Sequence, residues 1–274
     1  MRPLTATDHD AALALCAVDR PASVFVAARI EEGALRSHPG SVLGHFVDGE
    51  LTGLAWASAN IVPVGLDEAG LDALATKVSR MRRQCASLFG PADQVSGLWE
   101  RLGPSWGPVR AMRTSQPLLS TSGLPSSRGV PIDDLVRVAS PDEVSLVLPA
   151  AAHMFTEEIG YAPYSGSDRG YRASIAALIR QGHTFVRVLD GEVVFKADVG
   201  SLAIGCAQIQ GVWVHPRLRG QGLAVPAVAA VVEQVLSGPA DEVSLYVNDF
   251  NVAARATYDR VGFERVGTFA TVLL

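Results

Sequence analysis

Cysteine is scarce. Cys16, Cys85 and Cys206 are far apart and odd in number, so they build neither a disulfide framework nor a zinc-ligand spacing. They read as buried structural thiols of a reducing compartment. An excess of positive charge is also missing. The chain has 23 Lys and Arg against 28 Asp and Glu, a net charge of −5, which argues against the basic footprint of a nucleic-acid binder. Long hydrophobic runs are absent too. The longest, Leu223 to Val232, contains Pro226, stops at Glu233 and is too short for a membrane span. Near the start, Asp8 and Asp10 fall where a secretion signal would carry its apolar stretch. The expectation is a cytoplasmic protein that engages neither membrane nor nucleic acid.

What is present is a core. Apolar residues make up 48% of 274, enough for two domains of ordinary size. A Ser/Gly/Pro-rich stretch at 121–131 separates two regions of periodic apolar sequence and reads as a linker between domains at 1–120 and 132–274. The two regions repeat one order of signals. Each opens with a short strand and a Thr/Ser–Asp turn before an apolar helix. Each then has an Asp-Gly hairpin turn, Asp48-Gly49 and Asp190-Gly191. Each ends with a strand and a helix closed by glycine, at Gly103 and Gly262. The offset between matching signals grows along the chain, as expected for two copies of one fold with insertions in the second. Helices and strands alternate, and three consecutive strands between Thr184 and Val214 favour an antiparallel portion, so the fold class is mixed α+β. A helix is predicted over 142–158, with Pro149 as a point where it kinks or divides.

The strongest chemical signal follows the strand ending Val212-Trp213-Val214. A turn, Arg219-Gly220-Gln221-Gly222-Leu223-Ala224, leads into an Ala/Val-rich helix. Backbone N–H groups at a helix start lack intrahelical partners and carry partial positive charge, which suits a pyrophosphate. Glycines let an anion approach closely. No Gly-Lys-Ser/Thr follows, so a Walker loop is excluded, and Pro226 spoils the Rossmann fingerprint.

Residues 219–224 match the Arg/Gln-x-x-Gly-x-Gly/Ala pattern of the GCN5-related N-acetyltransferases (GNATs). A second feature of that family follows downstream in Asn251, Ala254, Tyr258, Gly262 and Phe263. Residues 135–274 therefore resemble a GNAT domain, and the whole chain is similar to two-domain members with a diverged first copy. The resemblance implies tandem GNAT-like domains, each a mostly antiparallel twisted sheet flanked by helices, with acetyl-CoA as acyl donor and no metal. It also implies roles. The backbone of Val212, Trp213 and Val214 would pair with the pantetheine amides. The amides of Arg219, Gly220, Gln221, Gly222, Leu223 and Ala224 would hold the pyrophosphate, with Asn251 beside the cofactor arm. Tyr258 would protonate the departing thiolate, for which a phenol neutral at pH 7 is suited. Asn251 also fits the N-cap of the following helix. Tyr258 also fits a core-edge tyrosine.

The acceptor side departs from the family pattern. Where some members carry a glutamate on the strand before the turn, this chain has Gln208, an amide that accepts no proton but can orient a water. Glu157 and Glu158 are the other candidates for a base. Neighbours on a helix point about 100° apart, so one of them faces the cleft. His153 and Glu157 have i,i+4 spacing, which fits an ordinary helix-face pair better than a metal site. The first half lacks the machinery: it has Asp67 and Glu68 where the turn would be, and Trp99 at the place of Tyr258. The expected function is transfer of acetyl from acetyl-CoA to a primary amine by direct attack in a ternary complex. The alternative is a catalytically weak acyl-CoA-binding regulator, motivated by the missing strand glutamate.

Overall fold

In the computed structural model, which describes residues 1–82 and 84–274, the Asp-Gly signals are tight hairpin turns in both halves. Asp48 and Asp190 each have φ 51°, and Gly49 and Gly191 follow at 88° and 78°. Positive φ at both central positions matches the right-handed twist of the flanking strands. The hairpins join β2 (Val42–Val47) to β3 (Glu50–Ala57), and β8 (Thr184–Leu189) to β9 (Glu192–Ala203).

The first half adds β1 (Arg2–Pro3), α1 (His9–Cys16), α2 (Arg20–Glu31), α3 (Ala34–Ser37), β4 (Asn60–Val64), α4 (Glu68–Val78), β5 (Ser87–Pro91), α5 (Ala92–Trp106) and β6 (Ala111–Thr121). The second adds β7 (Arg137–Val138), α6 (Val144–Ile159), α7 (Arg169–Arg180), β10 (Cys206–Val214), α8 (Ala224–Leu236), β11 (Glu242–Tyr246), α9 (Val252–Val261) and β12 (Glu264–Leu273). The stretch at 121–131 contains a short 3-10 turn at Pro125–Arg128.

The described strands form one sheet in the order β1-β2-β3-β4-β5-β12-β6-β11-β10-β9-β8-β7. The halves have exchanged their last strands. β12 of the second half lies between β5 and β6 of the first, while β6 lies between β12 and β11 of the second. Each exchanged strand thus has both neighbours in the other half. Helices cover both faces. In the first half, α1 and α2 pack over one core and α4 and α5 over another. In the second, α8 and α9 cover one face and α6 and α7 the other.

Two expectations change. Pro149 lies inside α6, which runs on to Ile159. Gly103 does not close α5. The helix continues through Gly103 and Pro104 to Trp106 and is capped by Gly107 at φ 74°. Trp106 anchors that extra turn, buried and donating through its indole to the Ser79 carbonyl at 2.9 Å. The helical run Ala6–Glu31 is long and apolar enough, by composition, to cross a membrane. In the fold its second part is α2, with Val24, Val26, Ala27, Ala28 and Ile30 buried against the sheet and Ala203 and Cys206 of the second half in the same core.

Candidate acyl-transfer cleft

β10 and β11 run parallel but pair only where Cys206, Ala207 and Gln208 meet Glu242, Val243 and Ser244. Beyond that, β11 stays bonded to β6 and β10 to β9. The two strands therefore part, and the edge of β10 from Ile209 to Val214 faces a V-shaped gap. A bulge at Gly211, φ 59°, shifts the register between Gln210 and Trp213. A Cβ on Gly211 would sit 3.1 Å from Met154 and 3.2 Å from Asp198, a tight fit that adds to the preference for glycine set by φ. Beneath the bulge, buried Lys196 forms an ion pair with Asp198, which also accepts from Thr184 at 2.9 Å. After the bulge, Val212 and Val214 pack toward α8 and Trp213 toward α6.

The Gly-rich turn caps this gap. Gly220 and Gly222 have φ 74° and 83°, and nothing lies within 4 Å of where a Cβ would be on either. No side chain caps α8 at Leu223. The N–H groups of Ala224 and Val225 are left without intrahelical partners, and Pro226 in the first turn needs none. The equivalent helix of the first half is different. Asp67 caps α4 with its own carboxylate, accepting from the Gly70 N–H at 2.8 Å. A fixed anion already occupies that helix start. The corresponding strands β4 and β5 also run parallel and pair at only two positions, Asn60 with Ser87 and Ile61 with Leu88. Trp99 packs on Gly103, its ring 3.1 Å from a Cβ built there.

The arginines at the turn are already engaged. Arg217 pairs with Glu192 at 2.5 Å. Arg219 donates through Nε to the Val214 carbonyl at 3.0 Å and through Nη2 to Glu157 at 2.7 Å. That bond leads the causes holding the Glu157 carboxyl below the usual range, so Glu157 braces the turn against α6. His153 lies 3.8 Å from Glu157 as an i,i+4 pair. Gln221 donates to the Arg217 carbonyl at 2.7 Å. Asn251 is the N-cap of α9, accepting from the Ala254 N–H at 3.1 Å.

Gln208 is not in the gap. It is only 6% exposed, roofed by α2, with its amide 3.5 Å from the Pro21 carbonyl. Tyr258 is 7% exposed on α9. Burial raises its pKa far above the ordinary phenol value, and the nearby Glu158 carboxylate raises it further. Tyr246, on β11, is pushed up to about 12 by burial and by Glu158, with Arg113 partly offsetting. Glu158 thus stands near both tyrosines, whereas its neighbour Glu157 turns to Arg219. Four residues at this end carried no local signal: Tyr246, Asn248, Arg113 and Gln116. Gln116, 2% exposed on the exchanged strand β6, donates to Asn248 Oδ1 at 3.0 Å and accepts from Thr271 at 2.6 Å. Arg113 of the same strand donates to the Glu158 carbonyl at 2.9 Å.

Comparison with known proteins bears on family and fold. Residues 151–263 match the Acetyltransferase (GNAT) family, and residues 40–147 match a domain of unknown function (DUF4081). A search of curated proteins gives no match. Among solved structures, a Drosophila protein superposes with TM-score 0.68 at 14% identity, covering 100% of this chain and 98% of its own. A GCN5-related N-acetyltransferase from Sphaerobacter thermophilus gives 0.59 at 18%, covering 99% and 93%. A tandem GNAT protein from the clavulanic acid biosynthesis pathway gives 0.57 at 18%, covering 98% and 97%. At these identities the likeness is one of fold.

Proposed function

Because the chain is a two-domain member of the GNAT acetyltransferases, and so an acyltransferase by family and fold, we propose that its second half moves an acetyl group from acetyl-CoA to a primary amine. The observation that carries this reading is the pairing of a free strand edge with an uncapped helix start at one end of the β10–β11 gap. The edge from Val212 to Val214 suits an extended arm of amides. The N–H groups from Gly220 to Ala224 suit a diphosphate, while that of Arg219 is held by the Pro216 carbonyl. The first half lacks the open helix start, since Asp67 occupies it.

In this reading the neutral amine attacks the thioester carbonyl carbon directly, within a complex of both substrates. As the C–S bond breaks, the departing sulfur takes the Tyr258 proton. The amine nitrogen, positive once bonded to carbon, loses a proton to Glu158 directly or through one water. Glu158 then releases its proton to solvent and the phenolate left on Tyr258 recovers one, so acetyl-CoA and the free amine become amide and thiol with both side chains restored. Glu158 takes the role that a strand glutamate has elsewhere, which removes the motive for the binding-only alternative. Holding both reactants in place contributes on the order of 7–11 kcal/mol in favourable cases.

Tyr258→Phe tests the reading. Thiol release across a panel of primary amines is expected to fall about 100-fold or more, while acetyl-CoA affinity by calorimetry stays within about twofold. Wild-type protein that binds no acetyl-CoA, or a Phe variant with unchanged turnover, would sink it.

A further inference from the structure

Arg113 belongs to the first half by sequence and to the second by position. It lies on β6, where it pairs across to Thr271 of β12, and both neighbours of β6 come from the second half. Its side chain is only 18% exposed. One of its donors, Nη2, reaches the main-chain carbonyl of Glu158 at 2.9 Å. That carbonyl lies in the last turn of α6, where backbone acceptors have no intrahelical donor and carry partial negative charge. A cation there is doubly matched. The other terminal nitrogen, Nη1, lies 3.8 Å from the Glu158 carboxylate, beyond hydrogen-bond distance. The guanidinium therefore grips the backbone of Glu158 while leaving its carboxylate oxygens free of a close donor. Beyond Glu158 the helix stops at Gly160, φ 88°, so no further helical turn steadies this end.

We propose that Arg113 is a positioning residue for Glu158, and that the exchanged strand of the first half thereby completes the acceptor side of the second half's site. The proposal rests on the acetyl-transfer reading above. It gives the first half a task in the reaction although that half's own helix start is closed by Asp67. Lysine at 113 keeps the charge but not the planar fork that holds the carbonyl with one nitrogen while the other stays clear of the carboxylate.

The test is a mutant cycle on the full chain. Arg113→Met and Arg113→Lys are each made alone and with Glu158→Gln, and thiol release with a primary amine is followed alongside acetyl-CoA affinity and thermal midpoint. Arg113→Met is expected to lower kcat about tenfold or more with acetyl-CoA affinity within twofold of wild type, and Arg113→Lys to recover part of that loss. In the Glu158→Gln background the same Met substitution should cost little further, because both changes remove one function. A Met variant with wild-type kcat overturns the proposal. So does a Met loss as large in the Glu158→Gln background as alone, which marks a merely structural arginine. Where the Met variant is poorly folded by its thermal midpoint, the Lys variant in the two backgrounds decides by the same comparison. Wild-type turnover that depends on Tyr258 but not on Arg113 removes this proposal alone. A wild type that releases no thiol removes the acetyl-transfer reading with it.

Discussion

Arg2 and Arg137 open the two halves with the same device. Each grips an acid six residues on, Asp8 or Glu143, which also accepts from the N–H of Thr5 or Ser140 in a capping box. Arg137 and the capping bonds hold the Glu143 carboxyl down to about 2. A carboxyl depressed in the folded state contributes stability that is complete above its unfolded value, near 4.5, and is lost as pH falls toward about 2. The Arg137 side chain is half-exposed, so the Coulombic part of the pair is small. Glu143→Gln is expected to cost about 1 kcal/mol at pH 7. In thermal melts its deficit against wild type should shrink between pH 4.5 and 2.5; a constant deficit would contradict the assignment. Features set by nearby sequence were legible in this way, the paired Asp-Gly turns among them. Arg113 and Asn248 were not. They meet their partners Glu158 and Gln116 across 45 and 132 residues, and no local pattern records such a meeting. For Gln208, the strand position was readable but the roof above it was not, because α2 comes from the other half.

At the scale of elements, the two halves differ most at one helix start. α4 closes on its own Asp67 and α8 stays open. Composition revealed the acid, and the structure supplies its consequence: the carboxylate takes the N–H that a ligand would need. The opposite substitution is informative in the second half. Gly222→Ala forces a side chain into φ 83° with no atom to clash against. Such strain costs on the order of 1 kcal/mol if the turn holds, and a turn that flips to escape it loses its amide cradle. The expected outcome is acetyl-CoA affinity weakened about tenfold with a thermal midpoint lowered by only a few degrees, read by calorimetry and melting. Affinity equal to wild type would mean that the turn does not hold the donor. The longer α5 shows the limit of a sequence signal. Glycine at 103 resembles a helix stop, yet packing of Trp106 under Ser79 carries the helix through it.

The whole molecule is one sheet made by two halves that each lack a strand of their own. Two domains were legible from the repeated signals and the Ser/Gly/Pro stretch; their exchange was not, because β6 and β12 would fit an ordinary sheet beside β5 and β11 equally well by pattern. The exchange predicts how the protein comes apart. Proteolytic cutting within the connection at 121–131 should leave both fragments together on size exclusion under native conditions, separating only in denaturant. Free halves after cutting would contradict the interlocked topology. Residues 122–274 expressed alone would keep α8 and the Gly-rich turn, but would lack β6 with Arg113 and Gln116 and both neighbours of β12.

The position of β12 also bears on synthesis. It is the last of the twelve strands to leave the ribosome, yet it sits at the middle of the sheet, between β5 and β6. Until it arrives, β5 and β6 present unpaired edges, the kind of surface on which chains stick to one another. The first half therefore cannot finish its fold while the second is being made. A chain interrupted before Glu264 would carry the whole Gly-rich turn and α9 on a sheet still open at its centre.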